Sequence, residues 1–145
     1  MAGQDPGGGR VERFAGDPPS PWEGPFGFSR VVAAGSLILV GGTTSVTVDG
    51  VVLGQGPYEQ TIEILHKIEH ELGRAGGLLA DVVSTRAYVT DIARAEDVGR
   101  AHGEVFGAIR PVMTMVEVSG LIDPRMLVEI EAVAVVPAFI SRRAG

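Results

Sequence analysis

The chain has no cysteine among its 145 residues, which excludes disulfide staples, thiolate nucleophiles and sulfur-ligated metal centres together. It also lacks a basic surplus: 12 Lys and Arg against 18 Asp and Glu leave a formal charge of −6. That balance offers no broad cationic surface to neutralise phosphates, so no nucleic-acid partner is expected. No long hydrophobic run is present either. The longest, "VVAAGSLILVGG", is interrupted and falls well short of the ~20 residues that cross a bilayer. "MAGQDPGGGR" has no basic region ahead of an apolar stretch, as a secretory leader would. A soluble, cytoplasmic protein with no membrane contact is expected. Lastly, "GPFGFSR" and "GGTT" lack the Lys-Ser/Thr and following helix of a phosphate loop, and no nucleotide, metal or other cofactor is expected.

What is present suits one domain with a real core, since 45% of the residues are hydrophobic. Residues 1–25 concentrate Gly and Pro ("GGG", "DPPSP") and predict a largely irregular tail that docks at most through Phe14 and Trp22. A domain over 26–138 and a short tail over 139–145 follow. "FSRVVAAG" and "SLILVGG" predict a hairpin turning at Gly35-Ser36. In the polar segment that follows, Asp49-Gly50 offers a tight turn. Thr61, Ile62, Leu65, Ile68 and Leu72 recur at three and four, predicting a helix from Pro57 to about Gly76. "DVVSTRAYVTDI" alternates, with Val83, Thr85, Ala87 and Val89 on one side and Ser84, Arg86 and Tyr88 on the other. A second helix buries Val98, Ala101, Val105 and Phe106, and strands at about 112–119 and 127–136 close the chain. The order ββαβαββ predicts an α+β mixed sheet with both helices on one face. The other face then needs a cover, and self-association is the economical one.

The last strand places Leu127, Glu129, Glu131 and Val133 on one face; its predecessor groups Met113, Met115 and Glu117. A half-buried carboxylate has a raised pKa, as a general acid or base near neutrality needs. The alternation is met equally by glutamates at an oligomer rim, paired with Arg or backbone groups, and on alternation alone that plainer reading is preferred. Arg86 and Tyr88 share a face and can hold a small planar anion, unless Tyr88 simply packs. "HKIEH", residues 66–70, matches the H-x-x-E-H pattern of zinc peptidases, but helical geometry turns His66 and His70 toward solvent and no third ligand is evident. A solvated face supported by Glu63 and Lys67 is the expectation there, and no metal site. His102, alone on its helix, is read as packed or surface-exposed rather than as a base.

The closing stretch "RPVMTMVEVSGLIDPRMLVEIEAVAV" resembles the YjgF/RidA (reactive intermediate deaminase) family, formerly labelled endoribonuclease L-PSP, with its Pro-Ala-Arg-Ser/Thr-x-Val-Glu-Val and Val/Ile-Glu-Ile-Glu-Ala motifs. "LILVGGTT" and "DVVSTRAYVTDI" are similar to two further family strands. The resemblance implies a chorismate-mutase-like domain forming a homotrimer around a central β-barrel, with small-molecule clefts between subunits. It implies Glu129 as the catalytic residue that positions a water for imine hydrolysis. Phe28, Gly41, Tyr88, Met113, Thr114 and Met115 fall at the family's ligand-binding positions, and Arg86, on the Tyr88 face, joins them as a ligand-binding candidate from the strand alternation. Met113 stands where the family's substrate-binding Arg stands, so an α-carboxylate ligand loses about 1.5–3 kcal/mol of charge-assisted binding. Arg30, Arg86 and Arg125 are the candidate replacements. The expectation is a deaminase-like hydrolase of C=N or enamine substrates without standard 2-imino acid activity. The alternatives are a non-catalytic metabolite-binding or regulatory trimer and, less favoured, a ribonuclease or translation inhibitor.

Overall fold

A computed structural model of the chain describes residues 11–137. Its elements are β1 (Val11–Phe14), α1 (Glu23–Phe26), β2 (Val31–Ala34), β3 (Leu37–Thr43), α2 (Pro57–Arg74), β4 (Val82–Val89), α3 (Ala95–Phe106), β5 (Val112–Glu117) and β6 (Val128–Val135). The strands form one sheet in the order β1-β2-β3-β6-β4-β5. All pairings are antiparallel except β4 with β5, the two strands joined through α3. The fold is α+β with a mixed sheet, as expected.

β2 and β3 meet at the two-residue turn Gly35-Ser36, where Gly35 takes φ +59°, a conformation that suits glycine. Asp49-Gly50 also turns, with Gly50 at φ +82°. Pro57 opens α2, which buries Thr61, Leu65, Ile68 and Leu72 of the expected stripe, with Ile64 rather than Ile62 completing it. These residues meet Ile38 and Val40 of β3 and Val128, Ile130, Ala132 and Ala134 of β6, and Val98 and Phe106 of α3 join the same buried cluster. The core therefore lies on one side of the sheet. The other side leaves Leu37 and Leu39 of β3, Val135 of β6 and Val112 and Val116 of β5 exposed.

Three expectations are corrected. Residues 1–25 were to be irregular, but Val11–Phe14 pairs with β2 and Phe14 packs on the core. A four-residue edge strand with Glu12 and Arg13 at its centre shows too little periodicity to stand out beside the Gly and Pro around it. Trp22 does not dock inward; it is 49% exposed and lies against Phe26, ring centroids 5.2 Å apart. In β4, Val82 is buried and Val83 exposed, because a register shift between Val82 and Ser84 against β6 breaks the simple alternation. Residues 1–10 and 138–145, and with them the expected C-terminal tail, lie outside the described residues.

Candidate functional site

Alternation on β6 turns Val128, Ile130 and Ala132 into the core and leaves Glu129 and Glu131 half-buried on the opposite face. Register then decides their neighbours. Tyr88 lies directly across from Glu129 and Arg86 across from Glu131. The Tyr88 hydroxyl donates to Glu131 Oε1 at 2.5 Å, and Arg86 Nη1 stands 3.9 Å from the same oxygen. That hydrogen bond pushes the Tyr88 phenol above its ordinary value. The Arg86 and Tyr88 pair therefore does face an anion, but it is the chain's own Glu131.

Glu129 makes a different contact. Val40 pairs with Ala132 and Thr43 with Ile130, so β3 spends one residue more than β6 over this interval. The result is a bulge at Gly41-Gly42. It brings Gly42 so close to Glu129 that a Cβ there would lie 2.6 Å from Oε1. Gly41 meets only ordinary contacts, with the Arg30 carbonyl oxygen at 3.5 Å from the same kind of atom. Burial pushes the Glu129 carboxyl above its ordinary range; Arg30 pulls it down and Glu131 pushes it up. Gly42→Ala is expected to rotate this carboxylate away while changing stability little, because the nearest atom is the end of a flexible side chain. A crystal structure of the variant would report both the displacement and the intact fold.

The three candidate replacement arginines are all engaged. Arg30 donates to Gly42 O at 2.7 Å, Gly41 O at 3.3 Å and Thr43 Oγ1 at 2.5 Å. Arg86 is directed at Glu131, and Arg125 forks onto Asp123 at 3.0 and 2.6 Å. Phe28 is 42% exposed, two residues before Arg30, whose backbone carbonyl accepts from Gly41 N–H at 2.9 Å.

Met113 and Met115 sit elsewhere within the chain. β5 pairs in parallel with β4, placing the partly buried Met113 and Met115 beside the buried Thr85 and Ala87 on the helix-covered face. The two methionines pack against the core cluster. Thr114, beside Arg86, shares the Glu129 face with Val112 and Val116. Grouping Met113 with Met115 was right, but a chain's own methionines cannot flank its own Glu129.

His102 is buried on the helix side, with Nε2 2.8 Å from Thr85 Oγ1 and its ring 4.7 Å from that of Phe106, so it takes no part in the site. His66 and His70 are exposed and line an open hollow with Glu69, Arg74 and Leu78, remote from Glu129. Lys67, expected on a solvated face, is half-buried and donates to Thr44 O at 2.5 Å and Val46 O at 3.0 Å, tying the segment after β3 to α2. Sequence reading missed this and the Arg30 clasp, because neither follows a periodic spacing. Among the described residues no cluster of three or more His, Cys, Asp or Glu is placed to hold a metal ion, and no helix is long and apolar enough to cross a membrane.

A mixed sheet covered on one face by two long helices, with a carboxylate seated against a glycine bulge on the other, defines a class of small α+β proteins. The family model described as endoribonuclease L-PSP matches residues 23–136, and the chain belongs to that family. A crystal structure of a Mycobacterium tuberculosis member of the YjgF/YER057c/UK114 family is 46% identical and superposes with a TM-score of 0.79, covering 88% of this chain and 100% of that one. An uncharacterized protein of Streptomyces coelicolor is 41% identical over 116 residues, which is 79% of this chain and 86% of the relative. A RutC family protein of Pyrococcus abyssi is 32% identical over 108 residues, 74% of this chain and 84% of the relative.

Proposed function

We propose that the protein is a homotrimeric, RidA-like hydrolase of small C=N or enamine metabolites that lack an α-carboxylate, with Glu129 as the proton-handling group in a cleft between subunits. The observation that carries the reading is the Glu129 carboxylate, half-buried, held above its ordinary pKa by burial, and seated against a glycine. Such a group accepts a proton from water as the water oxygen adds to an iminium carbon. The carbinolamine then collapses: Glu129 returns its proton to the nitrogen, the C–N bond breaks and ammonia leaves, and the hydroxyl gives up its proton to the freed Glu129 carboxylate as the carbonyl forms. Support for the missing carboxylate comes from the cations. Arg30, Arg86 and Arg125 each already serve an internal acceptor. The exposed Leu37, Leu39, Val116 and Val135 flank the site and support assembly through this face. A net charge of −6 speaks against ribonuclease action, the activity in the family's older description.

The test generates imines in situ. Enzymatic oxidation of a simple primary amine and of alanine or 2-aminobutyrate supplies an uncharged-chain imine and 2-imino acids side by side. Loss of the former above background, with the latter little accelerated, is the expected result. No acceleration of either leaves the second reading, a metabolite-binding trimer in which Glu129 only orients the ligand. Met113→Arg is the companion test, with turnover of 2-iminobutyrate expected to appear. Since Met113 lies on the opposite sheet face from its own Glu129, that gain requires the new guanidinium to reach a neighbouring subunit's site.

A further inference from the structure

We propose that Arg30 is the positioning residue of the Glu129 site: its guanidinium clasps the Gly41-Gly42 bulge and so fixes the gap in which the Glu129 carboxylate sits. A bulge breaks the ladder and leaves backbone groups without cross-strand partners, which must be satisfied some other way. Arg30 supplies the donors. One Nη meets Gly42 O and the other meets both Gly41 O and Thr43 Oγ1, while Thr43 Oγ1 itself donates to Gly41 O at 2.8 Å. The backbone of Arg30 is fixed on both sides, its N–H donating to Phe14 O of β1 and its C=O accepting from Gly41 N–H of β3. Strand β1, from the stretch that reads as a tail, thus helps hold the residue that shapes the site.

The arrangement needs arginine in particular. A planar fork reaches several acceptors in fixed directions, whereas an ammonium on a flexible stem does not reproduce that geometry. Other charges surround it. Glu71 and Lys67 on α2, Glu23 on α1 and Glu129 on β6 share its electrostatic surroundings, while Glu131 and Tyr88 act on Glu129 in turn. Glu23 is itself fixed by the N–H groups of Gly16 at 2.8 Å and Ser20 at 2.6 Å. With both terminal nitrogens engaged at the bulge, Arg30 acts on Glu129 by position and by field.

The functional meaning of this assignment rests on Glu129 being the proton-handling group, but its test does not need turnover. Carbon-detected NMR of the full-length protein follows the Glu129 carboxyl through a pH titration, identified by its loss in Glu129→Gln, together with the Gly41 and Gly42 amides. Arg30→Gln is expected to move the Glu129 midpoint upward and to shift both glycine amides. Arg30→Lys keeps the charge without the fork, so its Glu129 midpoint stays nearer the wild-type value while the amides still shift. An unmoved midpoint in Arg30→Gln, or unmoved glycine amides in both variants, overturns the proposal. Should Arg30→Gln fail to fold, Arg30→Lys decides alone: wild-type amides overturn it and shifted amides support it. A protein inert toward imines that shows the shifts keeps the positioning role and loses only the hydrolase reading.

Discussion

Glu129→Gln is expected to remove imine turnover, by about 10²–10⁴-fold as for loss of a positioned general base, while making the folded protein more stable at neutral pH. Glutamine keeps the volume and the hydrogen-bonding capacity and discards the charge. Burial raises the Glu129 carboxyl above its ordinary 4.5, with Arg30 opposing and Glu131 adding. The folded state then binds that proton more tightly than the unfolded chain does. The stabilisation is fully present below the ordinary value and is lost as pH rises through the folded-state value. At neutral pH the wild-type protein carries the cost of an ionised, partly desolvated carboxylate. The variant does not, so its advantage in Tm should be greatest near pH 7–8 and should shrink to nothing toward pH 4. Thermal unfolding across that range measures it. A variant less stable than wild type at pH 7–8 would mean that attraction to Arg30 outweighs burial, and that the carboxylate is a structural ion-pair partner.

Period-two alternation is a local property, and where the ladder is regular it gave the right faces. Glu129 and Glu131 on one side of β6, and Ile130 with Ala132 on the other, could be read directly from "VEIEAVAV". Bulges defeat the same reading, as at Val82 and Val83, where a one-residue shift exchanges which valine is buried. Relations between strands are a different kind of information. That Met113 and Met115 share a face is local, but that this face is not Glu129's depends on β5 pairing in parallel with β4 in the register Thr85 to Met113. Family resemblance supplied Glu129 and Gly41 as site positions; only the bulge made Gly42 the residue in contact. Arg30 was legible as one of three candidate replacements for the missing arginine and no more. Its commitment to the Gly41 and Gly42 carbonyls follows from backbone groups left unpaired, which no side-chain pattern records.

Leu39→Asp is expected to convert the proposed trimer to monomers. Leu39 lies opposite Val133 on the uncovered sheet face, 43% exposed, with Leu37 and Val135, each 42% exposed, paired next to them. If copies of the chain assemble through this strip, each subunit would bury an unpaired carboxylate. The desolvation penalty is several kcal/mol per ion even after relaxation, and it recurs in every subunit of the ring. An interface of ordinary size cannot absorb that repeatedly, since only the surplus over the cost of association appears as affinity. Sedimentation velocity or light scattering over a concentration series reads the outcome, with circular dichroism to establish that the monomer is folded. A trimer that persists unchanged would place the interface elsewhere and leave the apolar strip unexplained. The expected dissociation has a second consequence. Glu129 and Glu131 lie between this strip on β3 and the exposed Val116 on β5, so losing the partner opens their face to water. Burial within a single subunit is the leading cause of the raised Glu129 carboxyl, so in the folded monomer its titration should stay above the ordinary range, and imine turnover should fall only through loss of the shared cleft.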